Sequence, residues 1–245
     1  MSNKKEKLFG IDFNALTMQE TVELVDQAIH QQRGIHLLGV NADKILAIEK
    51  DTELAAVVHK ADIINADGAS VVLASRFLGR PLPERVAGID LMQSLLRLSN
   101  EKHYSVYFIG AKEAVINQMI ARLDVQYPEL IVAGYQNGYF EGERWSEIAT
   151  EIKRSRAQLV FIGITSPIKE QFIDFLLRHG VTSVLMGVGG SFDVLSGNIK
   201  RAPLWIQRLN LEWLFRMLQE PQRLFRRYFF GNGRFILKVL AAKFK

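Results

Sequence analysis

Cysteine is absent from the 245 residues. That excludes disulfides, thiolate nucleophiles, and zinc or iron–sulfur sites built on thiolates. No run of eighteen apolar residues occurs, so no segment is expected to span a bilayer as a helix. Six prolines and 18 glycines exclude collagenous or proline-rich chains. There is no Asp-x-Asp pair, no G-x-S-x-G elbow and no P-loop lysine motif. The five histidines, His30, His36, His59, His103 and His179, show no i, i+4 spacing and no His-x-Glu signature, so metal ligation is not expected of them. The nearest acidic pair, Asp51-Thr52-Glu53, falls between helical stretches, away from any strand end. Residues 1–9 are lysine-rich but lead into no apolar stretch, unlike a secretory signal, and the cytoplasm is the expected compartment.

What is present is an ordinary globular balance, 48% hydrophobic and 23% charged, with an uneven distribution of charge. Residues 1–198 carry 20 Lys and Arg against 24 Asp and Glu, whereas residues 199–245 carry 11 against 2, Glu212 and Glu220. A mildly acidic body therefore ends in a strongly basic tail, which calls for a polyanion, a membrane surface or a charged substrate.

Along the body, short apolar runs at 35–40, 63–65, 106–109, 131–133, 159–162 and 183–186 read as strands. Helical patterns lie between them at 42–60, 69–78, 89–102, 112–126, 145–154 and 167–178. The alternation predicts an α/β fold, Rossmann-like, with a mainly parallel sheet flanked by helices. Residues 1–198 are expected to form this α/β unit and 199–245 a basic, helical C-terminal appendage. In such sheets ligands bind beyond the carboxyl ends of the strands.

Those ends read Gly39-Val40-Asn41, Asn65-Ala66-Asp67-Gly68, Gly110-Ala111-Lys112, Gly163-Ile164-Thr165-Ser166-Pro167 and Gly187-Val188-Gly189-Gly190-Ser191. Small residues let a ligand approach the backbone, and helix N-termini favour anions. Several such turns on one edge suit a nucleotide or diphosphate. Taken singly, each glycine reads as a turn or a helix cap rather than a ligand contact. Asp67 is placed to act on a ligand or to cap the helix that follows, and Asp193 has the same two roles open to it. Arg85 is a candidate phosphate ligand, with a surface ion pair to Glu84 as the alternative.

In the tail, Trp205, Trp213, Phe215, Phe225, Tyr228, Phe229, Phe230 and Phe235 are set among Arg208, Arg216, Arg223, Arg226, Arg227 and Arg234. Pro221 is expected to start a helix that Gly231-Asn232-Gly233 breaks. The pattern fits an interfacial amphipathic helix on a membrane surface better than a nucleic-acid binder, since no nucleic-acid motif accompanies it. Burial of these aromatics in a homo-oligomer interface stays open.

Taken together, these segments resemble the WecG/TagA/CpsF family of bacterial glycosyltransferases. The resemblance runs from Gly39-Val40-Asn41-Ala42-Asp43-Lys44 to the arginine-rich tail. It includes Asn65-Ala66-Asp67-Gly68, Glu84-Arg85-Val86-Ala87-Gly88-Ile89-Asp90-Leu91, Asn137-Gly138-Tyr139-Phe140 and Gly187-Val188-Gly189-Gly190-Ser191-Phe192-Asp193. Ser196-Gly197-Asn198-Ile199-Lys200-Arg201-Ala202-Pro203 and Leu211-Glu212-Trp213-Leu214-Phe215-Arg216 complete it.

The resemblance implies an inverting, metal-independent transfer of a sugar (N-acetylmannosamine, its uronic acid or a hexose such as glucose). The donor is a UDP-sugar and the acceptor a polyprenyl-diphosphate-linked saccharide, at the cytoplasmic face of the membrane, in cell-surface polysaccharide synthesis. UDP-sugar is then a co-substrate and no cofactor is implied. By the same resemblance Asp67 is the general base and Arg85 lies near the donor diphosphate or the acceptor. Arg216, Arg223 and Arg226 would close over the site. Asn41, Gly110, Gly189, Gly190, Asp193 and Arg201 are implied substrate contacts. The chain departs from the family at Pro167-Ile168-Lys169-Glu170, where Lys169 replaces a glutamine beside Glu170 in the implied substrate-binding set, and at Gly39, where some members have threonine. Two other readings of the residues are a nucleotide-binding oxidoreductase using the turn at 187–190 and a non-enzymatic lipid- or nucleic-acid-binding module led by the tail.

Overall fold

The computed structural model describes residues 4–209, 211–219 and 221–244, without the side chains of 208 and 223–230. Six parallel strands form the sheet, in the order β4-β3-β8-β7-β5-β6. They are β3 (Ile35–Val40), β4 (Ile63–Ala66), β5 (Ser105–Gly110), β6 (Ile131–Gln136), β7 (Leu159–Gly163) and β8 (Val184–Gly187). All six coincide with the apolar runs of the sequence. An antiparallel hairpin, β1 (Lys5–Leu8) and β2 (Ile11–Asn14), precedes them and is not marked in the sequence reading. Its turn is Phe9-Gly10, with φ of 53° and 83°.

Strand side chains alternate between two cores, as a sheet covered on both faces requires. Leu37, Phe108, Phe161 and Met186 face one cluster, with helices α1 (Met18–His30), α5 (Gly88–Lys102) and α6 (Glu113–Gln126). The next residues along the strands, such as Leu38, Ile109, Ile162 and Leu185, face the other side. That side is covered by α2 (Ala42–Ala47), α3 (Thr52–Lys60), α4 (Ala69–Phe77), α7 (Trp145–Ser155) and α8 (Ile168–Arg178). The predicted helix at 42–60 is two helices, because the Asp51 carboxylate accepts the amide of Leu54 at 2.9 Å and starts α3 afresh.

After β8 a short helix, α9 (Ser191–Leu195), returns to the first core through Phe192 and Leu195. The chain leaves β3 toward one face and β8 toward the other, so their carboxyl ends are the switch point where sheets of this kind bind ligands. The tail forms α10 (Leu204–Arg208), α11 (Glu212–Gln219) and α12 (Pro221–Lys243). Here the sequence expectation fails: α12 runs unbroken through Gly231-Asn232-Gly233. Phe235 anchors it, 3% exposed in the hairpin-side core and 5.5 Å from the Phe9 ring. That burial outweighs the roughly 1 kcal/mol that each interior glycine costs a helix.

Candidate active site

Asp67 follows β4 directly. Gly39 on β3, paired with Asn65, leaves room for the Asp67 side chain: a Cβ there would lie 3.1 Å from Asp67 Cβ. The amide of Gly88, first residue of α5, donates to Asp67 Oδ1 at 2.7 Å. The sequence left open whether Asp67 caps the helix that follows it. It does not cap α4, whose N-cap Gly68 has no side-chain bond, but is held by α5 instead. One oxygen is thereby fixed, and among the described residues Oδ2 has no partner. Asn65, on the same face two residues earlier, is buried with both amide atoms unpartnered among the described residues.

Asn41 ends β3 and caps α2, accepting the amide of Lys44 at 3.0 Å. Gly110 has a backbone reason to be glycine. Its φ is 149°, and a Cβ would lie 2.6 Å from the Gly163 backbone, so the ends of β5 and β7 could not approach. At the end of β8, Gly189 has φ 52° with open space above it. A Cβ on Gly190 would lie 3.4 Å from Arg216 Nη2 and 3.9 Å from Asp193 Oδ2. The Arg216 guanidinium of α11 thus sits over the β8 turn. Arg223 and Arg226 lie in α12, but their side chains fall outside the described residues.

Arg85 does not pair with Glu84. Its Nη2 lies 3.1 Å from Glu212 Oε2 and 3.6 Å from Asp90 Oδ2. Arg201 Nη2 is 2.5 Å from Asp90 Oδ1, and its Nε is 3.5 Å from Glu212 Oε1. Glu84 instead accepts the amide of Met18. Asp90 and Glu212 were not singled out as site residues, and the 127 positions between Arg85 and Glu212 hide the pairing from any local pattern.

Lys169 and Glu170, from the implied substrate-binding set, are enclosed. The Glu170 side chain is fully buried, with Lys44 Nζ bonded to its Oε1 and Lys169 Nζ at 3.4 Å. The Lys169 stem lies over Gly187, where a Cβ would come within 2.6 Å of it. Burial alone would raise the Glu170 carboxyl, but Lys169 and Lys44 hold it down at about 2. Burial lowers Lys44, helped by Lys169 and opposed by Glu170. His36, buried beneath this cluster, is pushed down to about 3, first by burial, with Glu170 opposing and the two lysines reinforcing. Among the described residues no three His, Asp or Glu side chains converge as metal ligands would.

A carboxylate at a strand end, with the Arg216 guanidinium over the β8 turn of a parallel sheet, is equipped to deprotonate an alcohol beside a bound anion. That is the apparatus of a group transferase. The chain matches the model of the Glycosyl transferase WecG/TagA/CpsF family over residues 6–245, and it belongs to that family. It is a glycosyltransferase. It is 36% identical over 195 residues to the N-acetylglucosaminyldiphosphoundecaprenol N-acetyl-beta-D-mannosaminyltransferase of Bacillus subtilis, covering 80% of this chain and 75% of that one. With the protein of the same name from Bacillus spizizenii it is 37% identical over the same shares.

Proposed function

We propose that this glycosyltransferase moves N-acetylmannosamine from a UDP-linked donor to N-acetylglucosamine carried on a polyprenyl diphosphate. The transfer is one inverting, metal-independent displacement at the cytoplasmic face of the membrane. The names of the two Bacillus relatives support the sugar and the acceptor. The beta linkage in those names supports inversion of an alpha-linked donor.

The observation that carries the proposal is Asp67, with one carboxylate oxygen tied to the Gly88 amide and, among the described residues, no hydrogen bond to the other. The acceptor hydroxyl oxygen attacks the anomeric carbon as the bond from that carbon to the diphosphate oxygen breaks. The hydroxyl proton passes to Asp67 Oδ2, and UDP leaves with the bonding electron pair. The uridine diphosphate lies along Gly110, Gly189, Gly190 and Asp193. Arg216 offsets the charge that grows on it, an interaction stronger in the transition state than before it. Among the described residues no helix is long and apolar enough to cross a membrane, so the lipid-linked acceptor is met at the surface.

The test is turnover of UDP-N-acetylmannosamine with a lipid-linked N-acetylglucosamine acceptor. Asp67→Asn should lower kcat by roughly 10²- to 10⁴-fold while UDP affinity and unfolding temperature hold. Near-normal turnover would remove Asp67 as the base. Loss of wild-type activity on adding a chelator would overturn metal independence, and transfer from other UDP-sugars alone would overturn the donor.

A further inference from the structure

Arg85, Asp90, Arg201 and Glu212 form a closed ring in which each carboxylate bridges both guanidinium groups. It joins the loop before α5, the first turn of α5, the strand-free segment after α9, and the first residue of α11. Two positive and two negative charges make it neutral. Networks of this kind hold geometry better than isolated surface pairs.

The ring matters because of what α11 lacks. None of its residues is fully buried, and it packs on α12 and α10 rather than in the core of the body. Phe235 anchors α12, a separate helix. Among the described residues, Gln219 Nε2 at the far end of α11 donates to Lys200 O at 3.0 Å. At its near end Glu212 joins the ring. Arg216 follows one helical turn later, on the same face, with its guanidinium over Gly190.

We propose that Glu212 is a positioning residue for the transfer reaction. By sharing its two oxygens between Arg85 and Arg201, it sets the height and rotation of α11, and so holds Arg216 over the β8 turn. This rests on the reading that Arg216 meets the leaving diphosphate. Glu212, one of only two acids in residues 199–245, is thus the acidic clasp of a basic tail.

The full-length chain is compared as wild type, Glu212→Gln, Glu212→Asp, Arg216→Ala and the double variant Glu212→Gln/Arg216→Ala. Amide hydrogen exchange, calorimetric UDP binding and turnover are measured on each. Glu212→Gln should speed exchange across 212–219 by about five- to ten-fold, leaving α5 and β8 unchanged. It should lower UDP affinity and kcat as Arg216→Ala does, and the double variant should be no worse than Arg216→Ala alone. Glu212→Asp should recover part of the loss. Unchanged exchange across 212–219 in Glu212→Gln overturns the proposal, as do penalties that multiply in the double variant. Faster exchange with UDP affinity and turnover unchanged in both single variants also overturns the link to the reaction. In that case the fault lies in the reading of Arg216 and not in the ring.

Discussion

His36 is a basic ring inside an otherwise apolar strand, with Nε2 buried and unpartnered among the described residues. Folding keeps the ring neutral, since its pKa falls from 6.5 to about 3. Below pH 6.5 the unfolded chain gains a proton that the folded chain refuses. Stability is therefore lost as pH falls from 6.5 toward 3, at up to about 1.4 kcal/mol per pH unit. Glu170 acts in a lower window. Its folded pKa drops from 4.5 to about 2, so its contribution is complete above 4.5 and fades below. The two windows separate the groups. Urea midpoints of His36→Leu measured against pH should be flatter than wild type between pH 6.5 and 4.5, with the steeper limb below 4.5 kept. An identical slope in both proteins would show that His36 titrates normally. At this scale Asp67 and Arg85 were legible from their motifs. Their partners, Gly88, Asp90 and Glu212, were not, because those contacts are made by the fold and leave no spacing to read.

Among the elements, the six sheet strands were legible because burial on both faces makes each a continuous apolar run. The β1–β2 hairpin was not, since Lys5, Glu6 and Lys7 dilute its strand pattern. Helix α1 did carry a signal that went unread. Thr17 and Glu20 form a capping box ahead of Val25, Ala28 and Ile29. In α12 local propensity misled, because Gly231 and Gly233 argue for a break while the anchor at Phe235 lies on the far side of them. Their separate surroundings make this testable. A Cβ at Gly233 meets nothing within 4 Å, whereas one at Gly231 comes 3.1 Å from Asp43 Oδ1. Gly233→Ala should therefore stabilise the chain by up to about 1 kcal/mol, seen as a higher urea midpoint. A lower midpoint would mean that the segment is not helical in solution.

For the molecule as a whole, the decisive feature is that the basic tail is built into the body at one end. Phe235 fills the core, Lys238 pairs with Glu49, and Lys243 donates to the Phe77 carbonyl at 3.0 Å. What α12 leaves outside is Ile236, Leu237, Leu240 and Phe244, an exposed apolar stripe on the side away from Phe235 and Val239. Arg234 and Lys243 flank it. Such a stripe fits shallow insertion into an anionic bilayer, with each nearby basic residue adding about 1 kcal/mol at low salt. Leu237 is 67% exposed, so Leu237→Glu should leave the fold intact. It should weaken cosedimentation with vesicles containing anionic lipid at least several-fold, and added salt should weaken the wild type in the same direction. Turnover should fall with a long-chain acceptor in those vesicles and hold with a short-chain, water-soluble one. Equal vesicle binding by the two proteins would place the membrane contact elsewhere, and equal losses on both acceptors would mean that the substitution had reached the catalytic edge of the sheet.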